Sequence, residues 1–108
     1  MNGKAKRIKT GDFVLVVLHS PREKCWGALD EITSAGVSLR GVELNAFDDL
    51  IQAVKDGEPF VGFAWQFFPM WRIERVTLDE NTSFAPSLVE QFERRTGRKI
   101  EEIVNSEK

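Results

Sequence analysis

Tyrosine is missing from this 108-residue chain, and cysteine and histidine occur once each, as Cys25 and His19. A single cysteine excludes an internal disulfide, and with it any reason to invoke an oxidising compartment. One cysteine and one histidine cannot build a Cys/His zinc site. A serine–histidine–acid arrangement would have to use His19, and on a strand end its neighbour Ser20 points to the opposite face. Cys25 lies on a predicted strand, where a cysteine usually packs rather than reacts. No apolar run approaches the ~20 residues of a membrane-crossing helix. No apolar stretch of signal-peptide length follows the basic N-terminus, so the expected location is the cytoplasm, with no membrane partner. Phosphate-cradling and dinucleotide-binding glycine loops are also missing. The carboxylate pairs Asp48-Asp49 and Glu101-Glu102 are adjacent, and on a helix adjacent side chains diverge by about 100°. These exclusions predict a chain that is not an enzyme and holds neither cofactor nor metal.

What the chain does carry is apolar mass and an uneven charge. Three Trp and eight Phe are a large aromatic load for one small domain. The net charge is −2, from 15 basic and 17 acidic residues. Four of the basic residues, Lys4, Lys6, Arg7 and Lys9, fall in the first nine positions without an acidic one. The rest of the chain therefore sets 11 basic against 17 acidic residues, a balance of −6. A body this acidic is a poor general phosphate binder, so nucleic acid would have to meet the arm or a local cluster.

Hydrophobic periodicity gives the order of elements. Residues 1–10 read as a basic flexible arm. Residues 13–18, Phe-Val-Leu-Val-Val-Leu, are apolar on both faces, so one side meets a core and the other a helix or a neighbouring subunit. A second strand is expected over 24–32, with Gly27 marking a bend or bulge. Thr33-Ser34-Ala35-Gly36 then forms a hairpin loop. A third strand is expected over 37–44, interrupted by Gly41, with Val42 and Leu44 in phase with Val37 only if a bulge resets the register. Phe47, Leu50, Ile51 and Val54 form one helical stripe. The helix is expected at about 46–55, with Asn45 as N-cap, Asp48 and Asp49 in its first turn and Gly57 as its terminator. The later part of 60–68 reads as a fourth strand, Pro69-Met70 as a tight turn and 71–78 as a fifth strand, with a bulge near Glu74-Arg75 or else one of Ile73 and Val76 outside the core. Ser87 and Glu90 make a capping box for a C-terminal helix over about 88–96, and Ile100, Ile103 and Val104 suit a further helical turn.

At this point the chain resembles the Sm-like (LSm/Hfq-type) superfamily of small β-barrels. Gly11-Asp12-Phe13-Val14-Leu15-Val16, Gly27-Ala28-Leu29 and Gly36-Val37-Ser38-Leu39 look like that family's first motif. Phe68-Pro69-Met70-Trp71-Arg72-Ile73 looks like its second, two strands joined by a very short turn. The resemblance implies a strongly bent five-stranded Sm-like or SH3-like barrel over 11–80, with the helix inserted between its third and fourth strands and a helical extension over 81–108. It also implies a homo-oligomer, since open barrel edges are commonly paired between Sm-like subunits. The family's base-handling loop after the second strand carries Asp and Asn; here it reads Thr33-Ser34-Ala35-Gly36.

Three functional readings follow. The first is a non-enzymatic barrel acting through self-association or protein binding, with Phe63, Trp65, Phe67 and Phe68 as the subunit interface. The second, less favoured, is single-stranded RNA binding. Arg40 would contact phosphate, and Trp71 and Arg72 would set an aromatic platform beside a cation. The third is a small-molecule pocket between the 46–55 helix and the barrel.

Overall fold

The computed structural model describes residues 7–59 and 62–105, so the first six residues of the expected arm lie outside the described residues. Among those described, five strands and three α-helices follow the predicted order. They are β1 (Phe13–Leu18), β2 (Glu23–Ile32), β3 (Gly36–Glu43), α1 (Phe47–Asp56), β4 (Ala64–Pro69), β5 (Ile73–Leu78), α2 (Leu88–Thr96) and α3 (Ile100–Val104). The strands form one antiparallel sheet in the order β4-β3-β2-β1-β5. No helix among the described residues is long and apolar enough to cross a membrane.

The sheet is apolar on both sides because each side has its own core. Val14, Val16 and Leu18 of β1 join Cys25, Leu29, Val37, Leu39 and Phe68 in an inner cluster. The alternate residues Phe13 and Leu15 lie against an outer cluster built on Trp26, Phe47, Ile51, Phe63, Phe92, Ile100 and Ile103. Helices α1, α2 and α3 therefore cover the outer side of β1 and β2, which the sequence left to a helix or a neighbouring copy. Trp26 is fully buried there, with ring centroids of Phe13, Phe47 and Phe63 at 5.4, 5.2 and 5.6 Å.

Two features shape the sheet. Gly27 pairs with Gly41 across β2 and β3, and a Cβ on Gly27 would stand 2.2 Å from the Arg40 carbonyl oxygen and 2.4 Å from the Gly41 Cα. Such an approach requires glycine, and the register runs through Gly27 without a shift, so no bulge lies there. No bulge resets the register at Gly41. The β2–β3 register shifts instead between Leu29 and Glu31. Val42 needs no rephasing, because it belongs to the outer cluster while Val37 and Leu39 belong to the inner one. The second feature is the link from β4 to β5. These strands are opposite edges of the sheet, which a flat arrangement would hold about 19 Å apart. They are joined by the 3-10 turn Met70–Arg72, which rises only about 6 Å. The sheet must curl for so short a link to close. This turn also takes Trp71 and Arg72 out of the fifth strand, where the sequence placed them. The β1–β5 register slips between Val17 and Leu18 and skips Glu74, so Ile73 and Val76 both reach the inner cluster, as the expected bulge requires.

The helix ends agree with the sequence in part. Gly57 closes α1 at φ 68° and Gly97 closes α2 at φ 73°. Ser87 Oγ accepts from Glu90 N at 3.0 Å. Asn45, however, is not the cap of α1. It lies in a 3-10 turn, Leu44–Ala46, and Ala46 occupies the N-cap position without a side-chain bond. The carboxylates of Asp48 and Asp49 remain to balance the first turn.

Candidate functional site

Strand β4 is an edge strand, and it presents two large aromatic side chains to solvent. Trp65 and Phe67, two residues apart and so on one face, are 64% and 54% exposed. Their partners on β3 are Arg40 and Ser38. The Arg40 guanidinium lies 5.3 Å from the Trp65 ring centroid, and its Nε donates to the Phe63 carbonyl at 3.3 Å. The cation thus lies over the indole face, held there by its bond to the Phe63 carbonyl. The backbone of the same residues faces outward. Met70 N donates to Ala35 O at 2.9 Å, and bonding in an antiparallel ladder alternates every second residue. The pairs Val37–Phe68, Leu39–Gln66 and Gly41–Ala64 then bond to β3, while the N–H and C=O of Trp65 and Phe67 point away from it. No described strand pairs with that side.

Only half of the expected interface set lies on this surface. Phe63 is 1% exposed and packs edge-on to Trp26 and Phe13 in the outer core. Phe68 belongs to the inner cluster. The physical reason is strand alternation for Phe68, which points opposite to Phe67, and position for Phe63, which precedes β4 and turns under α1.

The residues expected to contact RNA or ligand fall into two places. Arg40 sits beside Trp65, whereas Trp71 and Arg72 lie beyond the far end of β4, in the 3-10 turn. Trp71 is 66% exposed, with the His19 ring 6.5 Å away. Arg72 is not free beside it. Its Nε donates to His19 O at 3.2 Å, and its Nη2 donates to Pro21 O at 2.8 Å and to Glu23 Oε1 at 3.4 Å. The guanidinium ties down the β1–β2 turn, where Ser20 adopts φ 60°. That left-handed residue also brings Ser20 Oγ to 3.1 Å from His19 Nδ1, although regular strand geometry would have kept the two apart. Both side chains belong to exposed residues.

Cys25 is buried, and burial pushes its thiol from 9.0 up to about 11, helped by the carboxylates of Glu23 and Glu43 and opposed by Arg72. A thiol so held is a packing group and a poor nucleophile at neutral pH. Among the described residues, no cluster of three or more His, Cys, Asp or Glu can hold a metal ion.

One organising residue escaped sequence reading. Asp79, which reads as the polar end of a strand, accepts from Trp26 Nε1 at 3.0 Å and from the α2 backbone at Leu88 N and Val89 N, at 2.8 and 3.1 Å. An acid shortly before a predicted helix start was the available signal, but its reach to Trp26 depends on tertiary structure. No family model, curated protein or solved structure matches the chain.

Proposed function

We propose that this chain is a non-enzymatic interaction module that acts by self-association. Its curled sheet would be a bent five-stranded barrel of the Sm-like or SH3-like kind. The observation that carries the reading is the unpaired β4 edge with Trp65 and Phe67 exposed on it. An edge strand with free backbone groups and large apolar side chains is a template for pairing with another chain. The opposite edge, β5, is also unpaired among the described residues. Two different open edges on one molecule suit head-to-tail contacts, β4 of one copy against β5 of the next, which close into a ring when the rotation allows. The tethered Arg72 and the buried Cys25 lend no support to RNA binding or to nucleophilic chemistry at those positions.

The test is the mass of the particle in solution. Sedimentation velocity over a wide concentration range should show an oligomer. Trp65→Glu and Phe67→Glu should each weaken association about thirtyfold or more, the scale of an aromatic interface anchor. A wild-type monomer at every concentration overturns self-association. Capture of an unrelated protein by wild type, lost in Trp65→Glu, would move the same edge to protein binding.

A further inference from the structure

A cleft opens between α1 and the ends of β3 and β4, with a volume of about 510 Å³, within the range of small-molecule sites. It exists because small residues line it. Ala46 lies just before α1, Ala53 on its flank and Ala64 at the start of β4, where larger side chains would narrow the space. Val42 and Leu50 give it an apolar floor. Its polar groups are few and of one kind. The Gln66 amide is spent on Gly41 O at 3.0 Å. Glu43 and Asp49 are exposed at the cleft, and neither has an ion-pair or hydrogen-bond partner given by the described side chains.

We infer that this cleft binds a small apolar molecule bearing one positive charge, an aliphatic or aryl-alkyl amine. The alkyl part would displace water from Val42, Leu50 and the alanines, and the ammonium would sit between the two carboxylates. An alcohol of the same length keeps the first gain and lacks the second. A carboxylate of the same length meets two like charges, which disfavour it. The ligand class follows from an apolar wall with uncompensated negative charge at its mouth. Ala64 and Gln66 alternate with Trp65 and Phe67 along β4 and so face the opposite side of the strand; amine binding and self-association are read by different experiments and fail separately.

The experiment is a titration of the full-length protein with hexylamine, hexanol and hexanoate at millimolar concentration, followed by backbone amide NMR. Hexylamine should give saturable shifts at Val42, Leu50, Ala53 and Ala64, and hexanol should bind about tenfold more weakly. Hexanoate should give none. The isosteric double variant Glu43→Gln/Asp49→Asn should bring hexylamine down to the level of hexanol with the spectrum otherwise unchanged. Ala53→Leu should remove binding of both by filling the cleft. Equal affinity for amine and carboxylate, full hexylamine affinity in the double variant, or no saturable shift at these four residues would each overturn the assignment.

Discussion

Asp79 shows how much of this molecule hangs on one side chain. Its two oxygens serve Trp26 Nε1 and the first two N–H groups of α2, so it joins the centre of the outer core to the start of a helix. Asp79→Ala leaves a fully buried indole N–H unpaired and removes a cap, each a cost of about 1–2 kcal/mol. Urea denaturation should therefore show a loss of about 3 kcal/mol, with Asp79→Asn recovering part of it. Cys25 makes a prediction of the opposite kind, about pH. Its folded pKa, near 11, lies above the ordinary 9.0, so folding favours the neutral thiol. The contribution is complete below pH 9.0 and is lost as pH rises through about 11. It amounts to up to about 3 kcal/mol. Wild type should lose this much between those limits relative to Cys25→Ala. The thiol should also resist a disulfide reagent at neutral pH until the chain unfolds.

At the scale of elements, two glycines distinguish space from conformation. Gly57 ends α1 at φ 68° with open space around the missing Cβ, so Gly57→Ala pays only backbone strain, about 1 kcal/mol. Gly27 has ordinary φ, but a Cβ there would run into the β3 backbone. Gly27→Ala must push two paired strands apart, which costs about 3 kcal/mol. Thermal melts of the two variants should rank in that order. The same contrast explains what could be read in advance. Periodicity and end signals were enough for β1, α1 and α2, because Phe47, Leu50, Ile51 and Val54, and Ser87 with Glu90, carry their own local instructions. They were not enough for the β2–β3 register. The single-phase assumption for Val37 and Val42 hid the fact that the strand feeds two cores. Nor could they show that Trp71 and Arg72 leave the strand for a 3-10 turn, since that is imposed by the distance between sheet edges. Of the candidate site, the aromatic excess was legible in the sequence. Which of Phe63, Trp65, Phe67 and Phe68 faces solvent depends on where β4 begins.

Across the whole molecule, both cores are buried, one inside the curled sheet and one beneath the helices, and the β4 edge lies outside both. Helices α1, α2 and α3 close the outer side over Trp26, while Trp65 and Phe67 at the β4 edge are left uncovered. An apolar edge that native chains usually shield is here combined with a second edge that no described strand pairs, and the proposed assembly is the arrangement that satisfies both. The most direct measurement is hydrogen exchange at the amides of Trp65 and Phe67 as a function of protein concentration. If β4 pairs with another copy, these two protons are protected in concentrated solution and lose protection on dilution, while their neighbours Gln66 and Phe68 stay protected throughout. Fast exchange at Trp65 and Phe67 at every concentration would contradict the account.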